Sequence, residues 1–424
     1  MPATEYQGSF LGRISIRRNQ VASMENNHEQ ELEDLEIFQR HISDRFADLL
    51  QPTSDPLPDS ASQTPASPQQ QQQQQQQSLP SSDNILSIAW LRKLLDAFLC
   101  CEAEFKAVVI MGRDPAHIAK PPLDRLIPEL MDRVVRALDV CNAIMHGVDS
   151  IMQCQKLAEI AVSALERRPF GEGQVKRAKR ALAALMALMD DKENTNNSYK
   201  AAERNWSFGR RGGGGGGSAS SGTGNKDRHL ANFRSLTMTV SKNWSASKQI
   251  QGMMTNLVAP RGNESNGLAV PVYIMSSVIV FAMWALVAAI PCQERTGLAT
   301  NFPVPKQLSW AHSMVGLQER IAEDWKKKEK KGSVGLMEEM QKLEKLGASL
   351  IEFADNFQFP MEGKKEESVV SQVNELGDIC RRLDEGLLPL QKQIREVFHR
   401  MVRSRTEILE LLDQATKAIA TPVA

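Results

Sequence analysis

Residues 270–292 read VPVYIMSSVIVFAMWALVAAIPC, without a charge in a 424-residue chain of which 24% is charged. As a helix, Val272 to Ile290 spans about 28 Å at ~1.5 Å per residue, close to the ~30 Å hydrocarbon core of a bilayer. Val272, Ile274, Val278, Ile279, Val280, Phe281, Leu286, Val287 and Ile290 each favour insertion by roughly 0.3–0.6 kcal/mol at the helix centre, about 3–5 kcal/mol together. Trp284 adds bulk, while Tyr273, Ser276, Ser277 and the terminal Pro271 and Pro291 erode the gain. A helix apolar on every face is equally what the middle of a large soluble bundle requires. Flanking charge does not choose, because Lys248 and Arg261 precede the run and Arg295 and Lys306 follow it. The expectation is membrane association on the cytosolic side, with spanning by 272–290 and burial in a soluble core both open.

Outward from this run the pattern is helical. Leu32, Leu35, Phe38, Ile42, Phe46 and Leu49 recur at threes and fours, as do Ile85, Ile88, Leu91, Leu95, Phe98, Phe105 and Val109. After Pro121-Pro122 one face carries Leu123, Leu126, Leu130, Val134, Leu138, Cys141, Met145 and Val148, and the helix runs on to about Leu165. Val175 to Met189 predicts another. Beyond residue 305, two seams alternate four and three: Leu336, Met340, Leu343, Gly347, Leu350, Ala354, Phe357, and Leu390, Ile394, Val397, Met401, Ser404, Ile408, Leu411, Ala415. Such spacing fits long antiparallel helices. Asp324 to Ser333 and Phe359 to Ser368 are read as turns. No run alternates as a strand does. The fold class is all-α, a bundle with two low-complexity inserts.

The predicted order along the chain is an N-terminal segment with an amphipathic helix (1–50), a Pro/Gln-rich insert (51–82) and a helical region (83–194). A Gly-rich polybasic linker (195–247), a short amphipathic helix plus the apolar helix (248–304) and C-terminal bundle helices (305–424) follow. The inserts hold Gln69–Gln77 and Gly212–Gly217 and bury too little apolar surface to offset ordering, so both are expected to be mobile. The first twenty residues lack the apolar stretch of a secretory signal.

Chemistry is sparse. No phosphate-binding, dinucleotide, zincin or nucleophile-elbow motif occurs, and the seven histidines are scattered. No cofactor or metal is expected, nor is catalysis. The six cysteines form no C-x-x-C pair and read as reduced, mostly buried thiols. Lys+Arg and Asp+Glu are equal at 51 each, so net charge names no acidic partner. Locally, however, Arg204, Arg210, Arg211, Lys226, Arg228, Arg234, Lys242 and Lys248 face Asp227 alone, with Trp206, Phe208, Phe233 and Trp244 interleaved. That mixture suits an anionic membrane surface, where each cation near the lipid is worth about 1 kcal/mol. Single-stranded RNA is a weaker fit, and a plain solvated linker is the simplest reading. Serines within FRSLTMTVS (233–241) would let phosphate cancel that charge.

Five stretches are specific enough to suggest kinship. MPATEYQGSFLGRISIRRNQV (1–21), VVIMGRDPAHIAKPPLDRLIPELMDRVVRALDVCNAI (108–144), NWSASKQIQGM (243–253), VYIMSSVIVFAMWALVAAIPCQERTGL (272–298) and QLSWAHSMVGLQERIAEDWKKKEKK (307–331) resemble the plant BYPASS/ROH family, closest to its ROH branch. The resemblance covers the chain apart from the glutamine and glycine inserts. It implies a non-enzymatic protein that engages an Exo-type subunit of the exocyst and restrains polarised secretion. Growth signalling as a membrane-anchored scaffold is the alternative it implies. It supplies no catalytic site.

Overall fold

The apolar run forms a helix, Ala269–Ala289, and every face of it meets protein. In the computed structural model the described residues are 24–51, 85–110, 118–190, 244–262, 267–292, 298, 301–329, 335–358 and 363–420. Among them all regular structure is helical and no strand occurs. The helices are α1 (Met24–Asp48), α2 (Ile88–Val109), α3 (Leu123–Leu165), α4 (Glu172–Asp190), α5 (Ala246–Met254), α6 (Ala269–Ala289), α7 (His312–Glu329), α8 (Glu338–Asp355) and α9 (Gly363–Ala420). A short 3₁₀ turn, Ser309–Ala311, leads into α7.

One hydrophobic cluster runs through the whole set. α3 is its spine and packs on α9, α4, α6 and α5. That is why its buried set is wider than one stripe: Ile127, Met131, Ala137, Val140, Ile144 and Ile151 are buried beside Leu130, Val134 and Cys141. Leu126, Leu138 and Met145, placed on the core face by spacing, are only partly buried. α9 lies antiparallel to α3, with the Gln391 amide donating to Asp149 at 3.0 Å and the Gln155 amide to Asp384 at 3.4 Å. It lies parallel to α2, where the Gln393 amide donates to Asp96 at 2.7 Å and Gly386 backs onto Ile88. α8 fills the space between α4 and α9, with Gly347 against Leu182, Leu185 and Met186. Helices from 305–424 thus pack on helices from 83–194.

The seam from Leu390 to Ala415 is buried as its spacing predicts, apart from the partly buried Leu411. The turns differ from expectation. α7 continues through Asp324 to Glu329, and α9 already runs from Gly363 with Pro389 inside it. Lysines in both places extend a helix end instead of breaking it. In α1, Leu35, Phe38, Ile42 and Phe46 are buried while Leu32 is exposed. Both inserts lie largely outside the described residues.

Candidate functional site

Two sets of residues carry chemical or recognition potential: the wall around α6, and the carboxylates buried along α2. Val272, Ile274, Val278, Phe281, Trp284, Leu286 and Ile290 are all buried. The elements around them are α3, α2, α5, α7 and α1. Phe281 meets Phe46 of α1 edge-on, with ring centroids 5.4 Å apart, and Phe302 at 6.1 Å. Tyr273 meets Trp310 at 5.9 Å. Met283 lies 3.7 Å from the Cys141 sulfur of α3.

The C-terminal end of α6 is closed by chain. Orphan carbonyls at a helix end need donors. Here the N–H of Leu336 donates to Ala288 at 2.9 Å and the N–H of Met337 to Ala289 at 3.1 Å. Two glycines make the approach possible. A Cβ on Gly147 of α3 would stand 2.6 Å from the Pro291 carbonyl oxygen. Gly335 has φ +80, and a Cβ there would stand 2.7 Å from the Ala289 carbonyl oxygen. Inside α6, Ser277 returns its hydroxyl to the Tyr273 carbonyl at 2.9 Å. Burial pushes the Tyr273 phenol up to about 12.

Along α2, three acidic groups are buried, and each is bonded. The Glu104 carboxylate takes a two-pronged bond from Arg45 of α1, at 2.5 and 3.0 Å, with His41 Nδ1 at 3.2 Å. Burial alone would lower the Arg45 pKa; the bond and charge of Glu104 raise it instead. Two residues earlier, on the opposite side of α2, Glu102 accepts from Arg400 of α9 at 3.2 Å and from the Ser404 hydroxyl. Lys106 pairs with Glu407 one turn further on. α2 is therefore clamped between α1 and α9 by adjacent carboxylates. At its start, Glu339 of α8 accepts from the Ile88 N–H at 3.1 Å, while Ser87 caps Trp90 N–H at 3.2 Å. A carboxylate at a helix N-terminus answers both free donors and the helix dipole. Burial nevertheless pushes the Glu339 carboxyl above its ordinary range.

The sequence did not single these carboxylates out. The available signal was their setting, FLCCEAEFKAVV, in which Glu102 and Glu104 sit among apolar residues on both sides. All three are spoken for by structural partners, an arrangement that holds helices together. Among the described residues no group of three or more His, Cys, Asp or Glu is placed to hold a metal. All six cysteines are reduced thiols, outside any disulfide. Burial raises Cys101, Cys141 and Cys380 to about 12 and Cys154 to about 11, which suppresses the reactive thiolate.

Of the membrane-contact candidates, Trp206, Arg210, Arg211, Arg228, Arg234 and Lys242 lie outside the described residues. Trp244 is half-buried against the core, at the entry to α5, whereas Lys248 on α5 is exposed. Trp244 thus packs on the core although composition assigns it to the linker read over 195–247. The end of α5 is held by Arg133 of α3, which donates to the carbonyls of Met253 at 3.0 Å and Thr255 at 3.1 Å.

Comparison with known proteins returns one family across this architecture. The family described as Protein ROH1-like matches residues 1–412. The chain is 54% identical to Protein ROH1A of Arabidopsis thaliana over 432 residues, covering 100% of this chain and 99% of the relative. It is 41% identical to Protein ROH1D of Arabidopsis thaliana over 434 residues, covering 97% of this chain and 98% of the relative. No solved structure matches.

Proposed function

We propose, for a chain that belongs to the plant ROH1-like family, a non-enzymatic regulator of secretion that acts on the cytosolic face of a membrane. Its partner is an Exo-type subunit of the exocyst, reached through a helix face. The observation that carries this reading is kinship along the whole chain, coupled with a helical core whose buried polar groups serve packing. Regulators of this kind work by occupying a surface, for which long rigid helices are suited.

In this reading α6 belongs to the protein core and attachment to the membrane is peripheral. The enclosed faces of α6 and the backbone bonds at its end support that choice. The basic residues between Arg204 and Lys248 supply attraction to anionic lipid, which salt weakens. A second reading, a membrane-anchored scaffold or growth-signalling protein without an exocyst role, is favoured by one observation. α6 carries no charged residue and is long enough to cross a bilayer.

Two experiments separate them. Full-length protein mixed with the purified Exo-type subunit is expected to show saturable binding by calorimetry. A folded chain that binds no exocyst subunit would falsify the leading reading. Membrane fractions washed in alkaline carbonate are expected to release the protein. Retention together with protease protection of one half of the chain would establish a spanning α6.

A further inference from the structure

α5 and α7 both pack on α6. Ser247 in the first turn of α5 and Trp325 of α7 are buried, at 5% and 6% exposure. Among the described residues four buried side-chain nitrogen or oxygen atoms lack a hydrogen-bond partner, and Ser247 Oγ and Trp325 Nε1 are two of them. Such a group bears the full cost of leaving water with nothing in return. Here two occur together, from different helices, on residues that line one cavity.

A third group joins them. In an unbroken helix the Val287 carbonyl would accept from the N–H of residue 291, but residue 291 is proline and has none. The N–H one residue earlier is engaged elsewhere, since Ile290 donates to Leu286 at 2.9 Å. The strip that closes the helix end serves the next two carbonyls, Leu336 on Ala288 and Met337 on Ala289. Val287 lines the same cavity, together with Pro291, Cys292 and Gly335.

The cavity measures about 10 Å³, about the least that holds one water molecule. The polar groups narrow the occupant further. An indole N–H only donates, which repels a cation. The Val287 carbonyl, at the negative end of the α6 dipole, repels an anion. The occupant must accept from Trp325, donate to Val287 and do either with Ser247, and water does all three. We infer that one ordered water molecule is a fixed part of this fold, bound between Trp325 Nε1, the Val287 carbonyl and the Ser247 hydroxyl. Buried waters ordinarily make about three such bonds to groups otherwise unpaired. This one completes the C-terminal end of α6. It also ties α5, the first described helix after the basic linker, to α6 and α7, although Ser247 and Trp325 share no hydrogen bond.

Oxygen-17 relaxation dispersion on the full-length protein reads long-lived internal water directly, because the signal follows water oxygen and not exchanging protons. Ser247→Val replaces the hydroxyl with methyl groups that fill the cavity, and the dispersion amplitude is expected to fall by the share of one water. An amplitude equal to wild type overturns the inference. The second arm is urea denaturation. An unpaired buried hydroxyl is better removed, and alanine is the better helix former. Without the water, Ser247→Ala would therefore leave the unfolding constant the same or lower. With it, the constant is expected to rise roughly fivefold. Trp325→Phe removes another bond to the same water, and in that background Ser247→Ala is expected to cost less than about twofold. A Ser247→Ala effect that is absent, or that is equal in both backgrounds, overturns the inference.

Discussion

α6 and α9 occupy the same core by opposite means. α6 is enclosed because nothing on it is polar enough to face water; α9 is enclosed on one side because its apolar residues recur at fours and threes. Composition tells that a helix is buried but not in what, since lipid and protein accept the same residues. Spacing tells which face is buried and leaves the other faces free for charge. The first kind of helix depends on its walls, whereas the second carries its own orientation.

Truncation is the most forceful way to test that difference. Trp284→Ala in α6 empties a fully enclosed site and should cost about 3–5 kcal/mol in chemical denaturation of the purified protein. A loss below about 1 kcal/mol would mean that the walls around α6 are not packed as described.

Gly147→Ala sharpens the comparison at the end of α6. A mid-helix glycine replaced by alanine ordinarily gains up to about 1 kcal/mol. Here the added methyl would strike the Pro291 carbonyl oxygen and Ile290. A loss of about 1–3 kcal/mol is therefore expected, opposite in sign to the propensity effect. Thermal melts of the two proteins decide it.

On the α9 side, Glu102→Ala strips Arg400 and Ser404 of their shared acceptor. Arg400 retains access to solvent, so the expected loss is about 1–3 kcal/mol. Leu388→Ala, on the same helix but outside the inner seam, should move stability by no more than about 0.5 kcal/mol.

The smallest effect concerns pH at the joint of the two regions. Burial raises the Glu339 carboxyl, so the folded protein takes up this proton at a higher pH than the unfolded chain does. Between those two values the native state binds more protons, and the contribution of this group to stability grows as pH falls. Glu339→Gln should flatten that part of the melting-temperature profile while still accepting from Ile88 N–H. An unchanged profile would assign the slope to other groups.

Much of this architecture is legible in the sequence. The inner seam of α9 can be written down residue by residue from Leu390, and helix α3 reads straight through Pro128 because its apolar period continues on both sides. What escapes is whatever depends on two distant segments meeting. Nothing near Glu339 announces that it ends against residue 88, and no local pattern assigns Glu102 to α9 and Glu104 to α1. Nor does α6 reveal its surroundings, since a segment with no polar face gives no direction. The extra buried faces of α3 escaped for a related reason: a helix packed on five neighbours loses the single stripe that spacing is read from.

The elements that enclose α6 also have an order along the chain. α1, α2, α3 and α5 all precede it; Phe302, the turn holding Trp310, α7 and the strip at 335–337 come after. Chains fold as they are made, N-terminal parts first. When α6 leaves the ribosome, most of its walls have already been synthesised. A segment hydrophobic enough to compete for a membrane thus follows most of its own protein walls in the order of synthesis, an advantage that a gene encoding it first would lose.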